Sequence, residues 1–454
     1  MKLNNLKWAA LCLIALASCS DDKKTEVDNP EGPQGDGTME VMTPEESKVF
    51  LQDAAVDFLN KFKPEEQKAL IELAAYYDSE YADYDLPDNF YLDDDDPSYS
   101  PARYLRQLAK AAKGDVDALT RAANSYSYNI KFDRFAGIYE PVSSREEWVK
   151  TGNSNDIIFR FTNKSAQPVE LKISQSGGVS DLEYSYSEWD WEYDYNIGDY
   201  QEIEEKYTYY LSIPKNVTTT LTENGSSLAN ATVISSIDVK GHTLSANIDA
   251  TLMNLRATAK VAGNDSKVEA RTELYVSNEK IASAYATLEG SGLCDLDRYE
   301  KMEDLDDDDL YSELAKMFKS GDCGLDMLGE VQVYGQGTYY REMPLDLDGW
   351  FDKWDYESQA AALQGCQDAC DRLNKSIKMQ LRYNNTSTDQ ATAFFQPAFD
   401  DWGYGWEYYT DCVLLFPDDT KYSVEEYFKN FTTVSGKFDS LLDAYQKIWR
   451  QAKK

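Results

Sequence analysis

His242 is the only histidine in the chain, and it stands between Gly241 and Thr243 in a sequence that reads as a tight turn. One histidine excludes every site that needs two, the His-Glu-x-x-His zinc proteases among them. As the base of a Ser-His-Asp arrangement it would need a nucleophile, and no Gly-x-Ser-x-Gly elbow supplies one. Nucleotide loops are missing as well. Gly436-Lys437 lacks both the upstream glycine and the following Ser or Thr, and Gly335-Gln336-Gly337 has Tyr340 where a third glycine would stand. Paired carboxylates could hydrolyse glycosides, but with 81 Asp and Glu some pair always falls at a usable spacing. A calcium loop needs oxygens at alternate positions and a glycine for the turn. The runs Asp93 to Asp96 and Asp306 to Asp309 have neither, and Asp346-Leu347-Asp348-Gly349 carries Pro344 at the first-ligand position. No cofactor is expected, and calcium is the single metal left open.

Aromatic residues give the better contact surface. In Trp189-Asp190-Trp191-Glu192-Tyr193-Asp194-Tyr195 four aromatics alternate with three acids. A strand would place Trp189, Trp191, Tyr193 and Tyr195 on one side and the carboxylates on the other. Ring faces stack on sugars while carboxylates accept hydroxyl hydrogen bonds, so a glycan or peptide could dock. The same rings could instead cover a sheet core or a hairpin flank, as cross-strand aromatic pairs do. A second cluster runs from Trp402 to Tyr409, broken by Gly403 and Gly405, with Trp402 and Trp406 as its contact candidates.

Cys19 carries a different chemistry. Lys2 and Lys7 precede an apolar run of about ten residues that ends at Leu16-Ala17-Ser18-Cys19, the layout of a secretory signal. The run is too short to cross a bilayer, which takes roughly 20 residues. A cysteine after Leu-Ala-Ser resembles the bacterial lipobox, whose cysteine becomes the acylated first residue of the mature chain. Ser20-Asp21-Asp22 resembles the acidic export signal that sends Bacteroidetes lipoproteins to the outer face of the outer membrane. The resemblance implies a signal peptide at 1–18 and a lipid anchor on Cys19, each buried methylene holding by about 0.8 kcal/mol. It also implies a location at the cell exterior.

Composition agrees with a folded, exposed, acidic body. The formal charge is −36, from 45 Lys and Arg against 81 Asp and Glu, so nucleic acid is not a partner. Aromatics at 13% supply area for a core. Beyond Cys12 and Cys19 five cysteines remain: Cys294, Cys323, Cys366, Cys370 and Cys412. An odd number leaves at least one unpaired within the chain. Cys294 and Cys323 flank an expected helix and could bridge; Cys366 and Cys370 lie four apart on one helix face, as two small buried hydrophobes.

The elements divide by period. Residues 19–42 read as a flexible tether rich in Gly, Pro and acid. Thr43-Pro44-Glu45-Glu46 opens a helix with a capping box, and residues 43–125 read as helical, with further helices from Lys63-Pro64, over 101–112 and after Gly114. From about 130 the period becomes two, and 126–292 reads as antiparallel β. A long hairpin includes 182–186 and 207–213, and a meander over 230–290 puts Leu244, Ala246, Ile248, Ala250 and Leu252 on one face. Residues 293–454 mix helices and strands that pack on the sheet. One helix here carries Leu310, Leu314 and Phe318 and ends at Gly321; others span 356–376, 424–431 and 436–450. The fold class is α+β, with an N-terminal helical segment, a meander sheet packed by helices and a mixed C-terminal part.

Gly137-Ile138-Tyr139-Glu140, then Trp148, then Asn155 to Phe161 resemble a pattern in uncharacterised surface lipoproteins of gut Bacteroidetes. With the meander this covers about the middle third of the chain, and it implies no activity and no functional residue. The leading expectation is a non-catalytic lipoprotein that binds a glycan, peptide or partner protein. A carrier of an apolar ligand in a half-barrel sheet is the alternative, and a carboxylate-based hydrolase the third.

Overall fold

The computed structural model describes residues 38–87, 90, 125–194, 199–295, 298–299, 302, 307–338, 350–352, 354, 356–401, 403 and 405–453. Cys19, Tyr195, Trp402, the helices expected over 101–112 and after Gly114, and the acidic runs at 93–96 and 346–348 lie outside them. The fold is α+β, helices with a large, open and mostly antiparallel sheet. Contacts divide the chain into two compact units, residues up to 72 with 237–454, and residues 73–236.

Helix α1 spans Pro44–Asn60 and begins as its sequence dictates. Thr43 accepts from the Glu46 amide, and the Glu46 carboxylate accepts from the Thr43 amide at 2.8 Å. Those hydrogen bonds hold the Glu46 carboxyl below its ordinary range. Just before the helix, Met39 and Met42 donate their amides to Thr388 and Gln390, so the end of the expected tether is tied down. Lys63-Pro64 gives one tight turn, and α2 follows over Lys68–Glu80.

In the 73–236 unit, strands β1 (Ser125–Lys131), β2 (Gly137–Val142), β3 (Glu147–Gly152), β4 (Ile157–Thr162), β5 (Pro168–Asp194), β6 (Asp199–Glu223) and β7 (Ser226–Asp238) pair in the order β3-β2-β4-β5-β6. The outer edge of β6 takes β7 along 216–223 and β1, in parallel, along 206–212. Its core is aromatic: Tyr81, Tyr139, Trp148 and Ile157 are buried with Phe90, Phe159 and Phe161 packed around them. Trp148 meets Phe159 edge-on at 5.1 Å, a favoured ring geometry.

In the other unit, β8 (Thr243–Leu252), β9 (Leu255–Asn264), β10 (Lys267–Val276) and β11 (Glu279–Gly290) form the expected meander. Helix α3 (Asp307–Met317) stops four residues before the Gly321 anticipated from sequence, because β12 (Phe318–Met327) pairs with β11 from Phe318 onward. The sheet continues through β13 (Val331–Thr338), then β15 (Ile377–Tyr383), β16 (Asp389–Asp401) and β17 (Trp406–Leu415). Two short strands, β14 (Trp350–Asp352) and β18 (Lys421–Ser423), share the outer edge of β17. Helix α4 (Gln359–Ser376), α5 (Val424–Phe428) and α6 (Thr432–Ala452) complete it.

Register makes the apolar face continuous. One row across it reads Ile248, Ala259, Thr272, Ala284, Leu325, Val333, Leu381 and Ala391. Toward one end of this face Leu51 and Ala54 of α1 share a cluster with Val331, Tyr383 and Phe416, and Phe58 packs with Val276 and Ile281. Toward the other end Met302 and Met317 pack with Leu293, Val268 and Leu288. The Cys294–Cys323 bridge is not made. Cys294 is buried, its Sγ 2.7 Å from where a Gly263 Cβ would stand, whereas Cys323 lies at the same distance from a Cβ at Gly335, its register partner on β13. Among the described residues no helix is long and apolar enough to cross a membrane.

Candidate functional site: an acidic aromatic ribbon

The β5–β6 hairpin is built by three segments in succession. At its base β4 flanks β5 along 168–173 and β7 flanks β6 along 216–223. Gly177 and Gly178, both at φ near +80°, then loop out of the ladder as the register shifts between Ser176 and Val179. Only glycine takes this backbone without strain, and such a bulge re-aims the strand beyond it. Farther on, β1 flanks 206–212, with its first described residue, Ser125, opposite Lys206. From 188 to 194 and from 199 to 205, no third strand among the described residues pairs with the hairpin. Among the described residues the tip is a two-stranded ribbon about 23 Å long at the usual rise per residue.

Register fixes its two faces. Trp189 pairs with Glu204, Trp191 with Glu202 and Tyr193 with Tyr200, so the three aromatic candidates share one face with Tyr200. The other face takes Asp190 opposite Ile203 and Glu192 opposite Gln201, bracketed by Glu188 opposite Glu205 and Asp194 opposite Asp199. Like charges set directly opposite one another destabilise a ladder. An isolated two-stranded hairpin is marginal in water even without them.

The second aromatic cluster has another setting. Trp406 is half-buried at the start of β17, 6.4 Å from the Tyr408 ring, and Phe399 lies 5.0 Å from Tyr408 and is 47% exposed. Tyr408 and Phe351 reach under α4, where Cys366, Cys370, Leu373 and Phe395 are buried. The opposite face brings together three carboxyls that sequence reading missed. Glu407 is the register partner of Asp400 on one side and Asp352 on the other, and it is buried. Burial first, then the two neighbouring carboxylates, push its carboxyl above the ordinary range. No sequence signal pairs Asp352 with Glu407, because a three-residue strand supplies the contact.

Cys366 and Cys370 are the buried pair expected, with burial pushing the Cys366 thiol up to about 12. Such thiols are protonated and inert. His242 occupies its turn at φ 48°, with Nδ1 2.8 Å from Asp265 Oδ2 and Nε2 4.0 Å from Asp295 Oδ1. Cys294 beside it has its thiol raised by burial and by Asp265, the opposite of an activated nucleophile. Asp307 to Asp309 are the first described residues of α3. Among the described residues no group of three or more His, Cys, Asp or Glu is placed to hold a metal ion. No family model, curated protein or solved structure matches the chain.

Proposed function

We propose that this chain is a surface lipoprotein, anchored to the outer membrane through acylated Cys19 and facing the cell exterior, that binds a glycan, peptide or partner protein without catalysis. The family reading is part of the same proposal: the chain resembles the uncharacterised lipoproteins of Bacteroidetes. In it, the N-terminal helical segment and the mixed C-terminal part pack on the meander, and the clusters around Leu51, Phe58 and Met317 support that arrangement.

The observation that carries the binding reading is the ribbon. Trp189, Trp191 and Tyr193 share one face of a strand pair that has no third strand beside it among the described residues. Rings used for core would be expected where strands or helices stack, as Trp148 and Phe159 do in this unit. An apolar-ligand carrier would need the face of the meander along its length, and that face already meets Phe58 toward one end and Met317 toward the other. A carboxylate hydrolase would need accessible paired carboxyls, whereas the central one of the Asp352, Glu407 and Asp400 row is buried.

The test is a Trp189→Ala/Trp191→Ala variant of the mature chain on glycan, peptide and protein arrays. Wild-type protein is retained on at least one class and the variant is not, with the two thermal transitions superimposable. Equal retention of a folded variant retires the ribbon as the site. Metabolic labelling with a fatty-acid analogue checks the anchor: the label enters wild type and is absent from Cys19→Ala.

A further inference from the structure

We infer that His242 is a proton-operated clasp. Charged, its imidazole bridges Asp265 and Asp295 and ties together three turns at one end of the meander; neutral, it serves only one of them. This clasp is independent of the binding reading above.

His242 closes the turn from β7 into β8, where its amide donates to Val239 O at 3.4 Å and its φ is 48°. Asp265 stands in the turn from β9 into β10, which Asn264 holds by accepting from the Ser266 and Lys267 amides. Asp295 lies in a turn beyond β11. That turn is joined to the second by the Leu293 amide on Asp265 O at 3.1 Å and the Gly290 amide on Ser266 O at 3.0 Å. Register brings the three turns to the same end of the sheet: Leu244 faces Gly263, and Val268 faces both Gly263 and Leu288.

The two ring nitrogens address different carboxylates. Nδ1 lies 2.8 Å from Asp265 Oδ2, and Nε2 lies 4.0 Å from Asp295 Oδ1. A neutral imidazole carries one N–H and one lone pair. With its proton on Nδ1 the Asp265 hydrogen bond is made, and the Nε2 lone pair confronts the Asp295 carboxylate. The imidazolium donates from both nitrogens and sets a positive charge between two anions. Asp265 gains most from that charge, because its Oδ1 is buried and has no hydrogen-bond partner among the described residues. The histidine side chain is 33% exposed, open enough to exchange its proton with water.

The neighbouring groups are already engaged or neutral. In the first turn the Asp238 carboxylate accepts from the Gly241 amide, and Lys240 is exposed. In the second, Lys267 pairs with Glu269. In the third, the Arg298 guanidinium donates to Glu313 and to Ser291 O, while its amide donates to Asp295 Oδ1. Burial pushes the Cys294 thiol and the Tyr299 hydroxyl up, so neither adds an anion. Among these groups the imidazole is the one whose ordinary range falls between about pH 5 and 8. Carboxylates at both nitrogens favour its charged form in the folded chain. The stabilisation is therefore present below the ordinary imidazole range and is lost as pH rises through it. Leu293 in the third turn is buried against Val268 and Leu288, so the clasp governs how firmly that end of the sheet stays closed.

The experiment takes the full mature protein, isotope-labelled at its single histidine, and titrates it by NMR beside Asp265→Asn and Asp295→Asn. Each variant lowers the midpoint of the imidazole signal. An unchanged midpoint in Asp295→Asn overturns the clasp, leaving only a histidine paired with Asp265. The thermal midpoint of wild type exceeds that of His242→Gln by about 2 °C more at about pH 5 than at about pH 8; a difference that ignores pH overturns it as well. Wild type alone supplies the last reading. The protection factor of the Leu293 amide falls about fivefold between about pH 5 and about pH 8, and constant protection contradicts the inference without any variant.

Discussion

Two stretches of this chain interleave aromatics with acids, and the structure treats them differently. Around β17, Trp406 and Tyr408 alternate with Glu407, as Trp189, Trp191 and Tyr193 alternate with Asp190 and Glu192 on β5. On β17 there are strands at both sides, and α4 covers the ring face, so Tyr408 and Phe351 join a buried cluster with Cys370 and Phe395. On the β5–β6 tip the described chain stops at two strands. The same alternation makes core where strands and a helix flank it, and at the tip it is paired, among the described residues, only within the hairpin. Composition alone does not distinguish a packed aromatic from a presented one.

The comparison is broken most severely by Tyr408→Ala. It should destabilise its unit by about 3 kcal/mol, near the lower end of large-aromatic truncations because the ring is half-buried. A calorimetric midpoint unchanged from wild type would make that cluster a surface too. Leu51→Ala, on the buried face of α1, should cost about 2 to 4 kcal/mol by the same measurement. Trp191→Ala should by contrast cost under about 1 kcal/mol while removing array retention; a large loss of stability would show its ring is core.

Glu407→Gln sharpens the contrast through pH. The Glu407 carboxyl is raised in the folded chain, so the folded state holds its proton longer than the unfolded state does. Its contribution is most favourable at low pH and is lost as pH climbs from the ordinary carboxylate range through the folded value. The variant should therefore gain on wild type as pH rises from about 4 to about 7, read from thermal midpoints. A constant difference would mean that neither burial nor the Asp400 and Asp352 carboxylates raise it. The smallest effect expected is Thr43→Ala, which removes the α1 cap for about 1 kcal/mol, seen as a small drop in the denaturant midpoint.

Much of the fold was legible because alternation and turn residues are local. The meander, the capping box at Thr43 and the helix carrying Cys366 and Cys370 stand where their residues placed them. What was not legible depends on neighbours. Strand β16 contains Pro397, which demotes a run as a strand, yet it pairs along β17 in the structure. Strand β12 holds Gly321 and Gly324 and reads as a helix end; its glycines serve packing, since a Cβ on Gly324 would strike the Tyr285 ring. At the site, the aromatic face could be read from period two. The Glu188 to Glu205 and Asp194 to Asp199 pairings could not, because hairpin register is fixed by the turn.

Backbone hydrogen exchange across β5 and β6, followed residue by residue in the mature protein, weighs the account most directly. The amides of 188–194 and 199–205 that face away from the partner strand should exchange freely, while those of 216–223, flanked on both sides, stay protected. Outward amides at the tip as protected in the free protein as those at the base would contradict it, for the ribbon would already be covered.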